Sequence, residues 1–157
     1  MLPDIRDYSE LYRRFRWQVP AAYNIGVDVC DRWAAVDPRR RAIVHVRPDG
    51  TSEDISFGAL RETSNRLANA LAAHGIKRGD RVAILLPQAP EVVASHVAIY
   101  KLGAVALPLA VVFGVDALAY RLQNSGAVGL ITNAAGAAKV AQMRGEAPGL
   151  KLVLSLD

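Results

Sequence analysis

The stretch with the direction of an anion-binding turn is Thr132-Asn-Ala-Ala-Gly136-Ala-Ala-Lys139. It follows an apolar run and precedes a helical one. Backbone N–H groups at the helix start would then face an anion, with the Lys139 ammonium beside them. Its spacing matches neither G-x-x-x-x-G-K-[ST] nor G-x-G-x-x-G. An ordinary strand–helix connection with a solvated lysine is the favoured reading. Gly126-Ala-Val-Gly129 has the glycines but runs from helix to strand, the wrong way round. His45, His74 and His96 lie far apart, and none has a second ligand four residues on. His96 sits in an apolar helix, where a hydrogen-bonded structural role is expected. No serine stands in G-x-S-x-G, so the hydrolase elbow is absent. Cys30 lies among Val27, Val29 and Trp33 and reads as a packing residue. Arg39-Arg40-Arg41 follows Pro38 and reads as a solvated turn. Tyr8, Tyr12, Phe15 and Trp17 read as a seam packed on the rest of the protein. Local chemistry alone therefore defines no active site.

Composition narrows the class. The chain has 157 residues, 52% of them hydrophobic and 22% charged, which excludes a disordered chain. Its length fits one domain with a sizeable core. The net charge of +4 is mild, and acids are interleaved with bases. Nucleic acid is a poor partner for such a surface. A single cysteine allows no internal disulfide and no cysteine-ligated zinc, and it fits a reducing cytoplasm. The amino-terminal residues carry Asp4, Arg6, Asp7, Glu10, Arg13 and Arg14, with no apolar leader. The longest uncharged run, 102–115, is too short to span a bilayer and holds Pro108 in its middle.

The hydropathy pattern then supplies the elements. Tyr8, Leu11, Tyr12 and Phe15 share a helical face, and Trp17-Gln-Val-Pro20 ends that helix. A second helix covers 27–36. Residues 42–46 and 52–56 flank Pro48-Asp49-Gly50 as a hairpin. Ser56 caps a helix whose period runs through Phe57, Leu60, Ser64, Leu67, Ala68 and Leu71 and stops at Gly75. From there short apolar runs alternate with helical ones. Strands are expected at 82–86, 104–107, 127–131 and 150–154, and helices at 90–102, 114–125 and 135–144. This predicts an α/β fold: a parallel, doubly wound sheet, preceded by amino-terminal helices and a β-hairpin. All four strands are expected to be covered on both faces. The division expected is a helical segment over 1–40 and an α/β subdomain over 41–157.

Three stretches resemble the amino-terminal part of AMP-forming acyl-CoA synthetases. The first is Phe15-Arg-Trp17-Gln-Val-Pro20-Ala-Ala-Tyr23-Asn24-Ile25 with Asp28-Val-Cys-Asp31-Arg-Trp33. It is similar to the opening of the medium-chain group. The second runs from Ser56-Phe57-Gly58-Ala-Leu60 through Asn65-Arg66-Leu67-Ala68 to Gly75-Ile-Lys77-Arg-Gly79-Asp80-Arg81-Val82. It resembles the wider adenylating superfamily. The third is Lys101-Leu-Gly103-Ala with Pro108, then Asp116-Ala-Leu-Ala-Tyr120-Arg121-Leu122 and Ser125-Gly126-Ala127. The three lie in the family's order and cover essentially the whole chain.

The resemblance implies a two-step ligase. A carboxylic acid and ATP, with Mg2+, give acyl-adenylate and pyrophosphate; coenzyme A then displaces AMP. It also implies that the phosphate loop, the adenine and ribose contacts and a catalytic lysine all follow the matched region, and the sequence holds no T-S-G-T-T-G-x-P-K-G run. The chain is therefore expected to be an amino-terminal fragment with no catalytic residue and no metal ligand of its own. A coenzyme A contact in the medium-chain group falls at the position matching Val112. Arginines of acetyl-CoA synthetases that approach the coenzyme A phosphate match Ala138 and Ala141, with Lys139 nearby. Val112 and Lys139 are thus the candidate coenzyme A residues. Self-association through the exposed sheet edge near Leu152 is expected of such a fragment. The competing reading is a stand-alone α/β binding or interaction module without ligase activity.

Overall fold

A computed structural model describes residues 3–18 and 20–157. Val19, inside the first resemblance motif, lies outside the described residues. Helix α1 spans Tyr8–Arg14, and the Asp7 carboxylate caps it by accepting from the Glu10 N–H. One π-turn at Val27–Asp31 leads into α2, Arg32–Val36. Strands β1 (Arg41–Val46) and β2 (Ser52–Ser56) pair antiparallel as the expected hairpin. Helix α3, Phe57–Ala73, starts on the Ser56 hydroxyl, which accepts from the Ala59 N–H.

The main sheet has four strands: β3 (Arg81–Leu85), β4 (Val105–Pro108), β5 (Gly129–Thr132) and β6 (Leu152–Ser155). All neighbours are parallel, in the order β4-β3-β5-β6. Helices α4 (Pro90–Lys101), α5 (Val115–Ser125) and α6 (Ala134–Gln142) connect them. Alternate residues of the central strands feed two cores. Val82, Ile84 and Ile131 pack with Leu71 of α3 and Ile99 of α4. Ala83, Leu85 and Leu130 pack with Leu118 and Leu122 of α5 and Val140 of α6. The sheet is therefore wound on both faces, as the uniform apolar runs require.

Complete cover holds only for the centre. The outer strands β4 and β6 are half-buried, with Val105 exposed, because each has a neighbour on one side alone. The two edges also differ. The N–H groups of Val105 and Leu109 turn toward β3, on Asp80 O and Ile84 O. Alternation points Ala106 and Pro108 outward, and proline has no N–H to offer. On β6, Leu152 and Leu156 turn toward β5, so the N–H groups of Val153 and Ser155 face out. The β4 edge is blunted; the β6 edge is open.

A third core joins the π-turn to the sheet helices: Cys30, Leu60, Ala94 and Val97. Beside it, the Lys101 ammonium is 2.7 Å from Asp31 Oδ1 and donates to Ser64 Oγ at 3.0 Å and Asn65 Oδ1 at 2.6 Å. The lysine side chain is only 10% exposed. Gly26 lies so close to α4 that a Cβ there would sit 2.6 Å from Lys101 Cγ and 2.9 Å from Val97 O. The aromatic seam does not follow this pattern. Tyr8, Tyr12 and Trp17 are 75%, 75% and 83% exposed, and α1 buries no residue. The rings pack on each other instead, Tyr8 on Tyr12 and Phe15 edge-on to Trp17.

Removing the buried cation tests this join. Lys101→Ala should lower the stability of the chain by about 3–5 kcal/mol, because Asp31 loses its counter-charge in a mostly dry site. Urea unfolding of the two proteins reads the difference. A loss below about 1 kcal/mol would mean that the pair behaves as an exposed surface bridge.

Candidate functional site

Ligands of open α/β sheets bind beyond the carboxyl ends of the strands, where neighbouring connections leave for opposite faces. Here that place lies between β3 and β5. The chain after β3 turns to α4 on one face, and the chain after β5 turns to α6 on the other. A cleft of about 150 Å³ opens there, lined by Leu85, Pro87, Val111, Asn133, Gly136 and Lys139 among others. A larger hollow of about 380 Å³ lies between the hairpin and α3, lined by Ile43, His45, Glu53, Leu60 and Glu91 among others. Its arginine, Arg47, is already paired with Glu53. The switch-point cleft is the candidate because its polar groups converge.

Its floor is tightly built. The Thr132 hydroxyl is buried and donates to Leu85 O at 2.8 Å, tying the ends of β5 and β3 together. Gly136 packs directly over it, and any Cβ at 136 would collide with Thr132 Oγ1. Asn133 is extended and its side chain accepts from the Gly136 N–H at 3.0 Å, starting α6. The Asp157 carboxylate accepts from the Ala134 N–H. Two of the first amides of α6 therefore already have acceptors, and its positive end already faces a carboxylate.

Lys139 is not a solvated lysine. Its ammonium donates to Val111 O at 2.7 Å and to Phe113 O at 3.2 Å. These two carbonyls bracket Val112, which is 84% exposed at the tip of the β4–α5 loop. The Arg121 guanidinium lies 4.0 Å from the centroid of the Phe113 ring and supports the same loop. The structure thus brings Val112 and Lys139 together. The lysine holds the loop with two donors and keeps one, and the valine presents an apolar tip and backbone. Sequence spacing alone could not show this, because the bonded carbonyls lie 26 and 28 residues away. Ala138 and Ala141 lie on the same helix and carry no polar group to the cleft.

The other candidates resolve into packing. His96 Nδ1 lies 2.9 Å from Val92 O, and His74 Nδ1 lies 2.8 Å from Ala70 O, both within their own helices. Cys30 is fully buried, and burial pushes its thiol above the ordinary range, with the nearby Lys101 charge opposing. Arg40 lies over the Trp33 ring at 4.5 Å, so this arginine of the triplet has a packing partner. Among the described residues, no group of three or more His, Cys, Asp or Glu side chains could hold a metal ion. No helix among them is long and apolar enough to cross a membrane.

Comparison with known proteins adds to this geometry. The family model of the AMP-binding enzymes matches residues 30–157. The chain is 36% identical over 110 residues to the human protein named acetyl-coenzyme A synthetase 2-like, mitochondrial, covering 69% of this chain and 16% of that one. It is 31% identical over 139 residues to the Bacillus subtilis acetyl-coenzyme A synthetase, covering 82% of this chain and 24% of that one. A solved Brucella canis acyl-CoA synthetase superposes with a TM-score of 0.82 at 31% identity, over 95% of this chain and 28% of that one. The chain therefore spans about a quarter or less of the two curated relatives quoted.

Two substitutions test the cleft. Gly136→Ala should cost about 1–3 kcal/mol in urea unfolding, since Thr132 must leave its bond to Leu85 O or α6 must move out. Lys139→Met should leave the fold intact but free the loop: amide exchange at 111–114 should speed by about 5–30-fold, the loss of one to two hydrogen bonds near 1 kcal/mol each. Unchanged exchange there would show that Lys139 holds nothing.

Proposed function

The chain belongs to the AMP-binding enzyme family, and from that premise we propose that it is the first part of the large domain of an acyl-CoA synthetase. The reaction of the whole enzyme is acid–thiol ligation. A carboxylate attacks the α-phosphate of ATP, held with Mg2+, and pyrophosphate leaves. The thiol of coenzyme A then attacks the acyl-adenylate, and AMP leaves. The observation that carries this reading is the 31% identical likeness to a solved acyl-CoA synthetase over 95% of this chain.

The contribution of these residues is a scaffold and one ligand-facing loop. The switch-point cleft and the tip at Val112 would meet coenzyme A through backbone and apolar contact, with the free donor of Lys139 beside them. Electrostatic stabilisation of the adenylating step requires donors aimed at the α-phosphate. Asp157 and Asn133 already occupy the Ala134 and Gly136 amides of α6, which leaves that donor and the Ala135 N–H to meet it. A micromolar ATP site needs about 8 kcal/mol of binding free energy. A helix end at an exposed position supplies about 0.3–1 kcal/mol. The reading includes a cytoplasmic setting, supported by the single free cysteine. It also includes pairing of a second copy along the open β6 edge, supported by the outward N–H groups of Val153 and Ser155.

Three measurements check these statements. A chimera of the Bacillus subtilis acetyl-coenzyme A synthetase, carrying this chain in place of its matched share, should show acid-dependent ATP–pyrophosphate exchange above blank. A folded chimera without exchange over a panel of acids would count against the ligase reading. The 157-residue chain alone should show no exchange and no micromolar ATP binding by calorimetry; either signal would overturn the scaffold role. Sedimentation should show a concentration-dependent dimer that Ser155→Pro removes, because proline deletes an outward N–H without touching the β5 ladder.

A further inference from the structure

We infer that the seam of exposed Tyr8, Tyr12 and Trp17 with half-buried Phe15 is a docking face for the later segment of an AMP-binding large domain. The inference rests on the ligase reading above and adds the partner and the contact residues. The rings do not arise as a random scatter. Tyr8, Leu11, Tyr12, Phe15, Arg16 and Trp17 line one hollow of about 450 Å³. Among the described residues none covers it: α1 buries no residue and Trp17 is 83% exposed. Seams of Trp, Tyr and Arg on small rigid contacts are the composition of protein–protein anchors.

The charges argue against a lipid surface. Asp4, Asp7 and Glu10 stand in the same segment as the arginines. Arg14 is paired with Glu10 at 2.9 Å, and Arg16 is turned onto the carbonyls of Arg13 and Phe15. That leaves few free cations for anionic headgroups, and a polybasic cluster of four to eight is the usual need. The length argues for a protein of one kind. The solved Brucella canis synthetase matches 95% of this chain. Residues 3–18 are about a tenth of the chain, so the match cannot leave them all out. The same match takes up only 28% of that protein, which leaves 72% of an AMP-binding polypeptide to supply the covering surface.

The test is reassembly in trans. A relative is chosen whose own first share, expressed separately, reassembles with the remainder of its chain. That remainder is then co-expressed with the 157-residue chain and pulled down by a tag on the remainder. The expected result is a one-to-one complex, weakened by about 30-fold or more by Trp17→Ser, the size of an anchor residue. No complex, or a complex indifferent to Trp17→Ser and to Tyr12→Ser, would overturn the inference. So would binding of the chain alone, dependent on Trp17, to vesicles of 7:3 phosphatidylcholine and phosphatidylglycerol, or a Trp17-dependent dimer in sedimentation. The readout is association, so a Trp17-dependent complex without acid-dependent exchange would support the docking face while removing the ligase reading.

Discussion

One buried ammonium ties the fold together. Lys101 ends α4, and its ammonium meets groups from two other elements: it donates to Ser64 and Asn65 on α3 and lies 2.7 Å from the Asp31 carboxylate in the π-turn. A lysine so little exposed is tolerable when hydrogen-bond acceptors meet it and a carboxylate balances its charge. Its own carbonyl accepts from the Asn24 side chain at 3.0 Å, so the same residue also holds the chain before the π-turn. The amino-terminal segment, α3 and α4 thus share one electrostatic anchor. That anchor fixes the helices of one sheet face, and the other face is packed independently by α5 and α6.

This arrangement explains what the quoted motif residues are for. Asn24, Asp31, Asn65 and Lys101 stand in three separate stretches of sequence and converge on one point. They register the pieces of the scaffold. The candidate cleft lies elsewhere, at the carboxyl ends of β3 and β5, where Thr132, Gly136 and Lys139 set it. A scaffold join and a cleft built from different residues allow each to be rigid on its own terms.

Much of the architecture was legible because the physics is local. Uniform apolar runs at the centres of β3 and β5 report burial on both faces, and the Ser56 cap and the Gly75 stop set the ends of α3 to within a few residues. The edges were less legible. The run at 104–107 is as apolar as those of central strands, and 150–154 departs only at Lys151, yet strand order, a non-local property, leaves them half-covered. The role of Lys139 was hidden for the same reason: its partners are main-chain carbonyls, which have no signature in sequence. The seam at 8–17 shows the reverse case. Its pattern reads as a packed face, yet among the described residues no surface covers it.

Pro108 has a further meaning for how such chains meet. The four-stranded sheet of each copy carries one receptive margin, at β6, and one margin that the proline blunts. Two copies paired as proposed, β6 to β6, would use up the open margin of both sheets. A third could then not extend that sheet, so its growth would halt at a closed pair rather than run on as a fibre. A single imino ring on the far strand would thus limit a contact in which it takes no part.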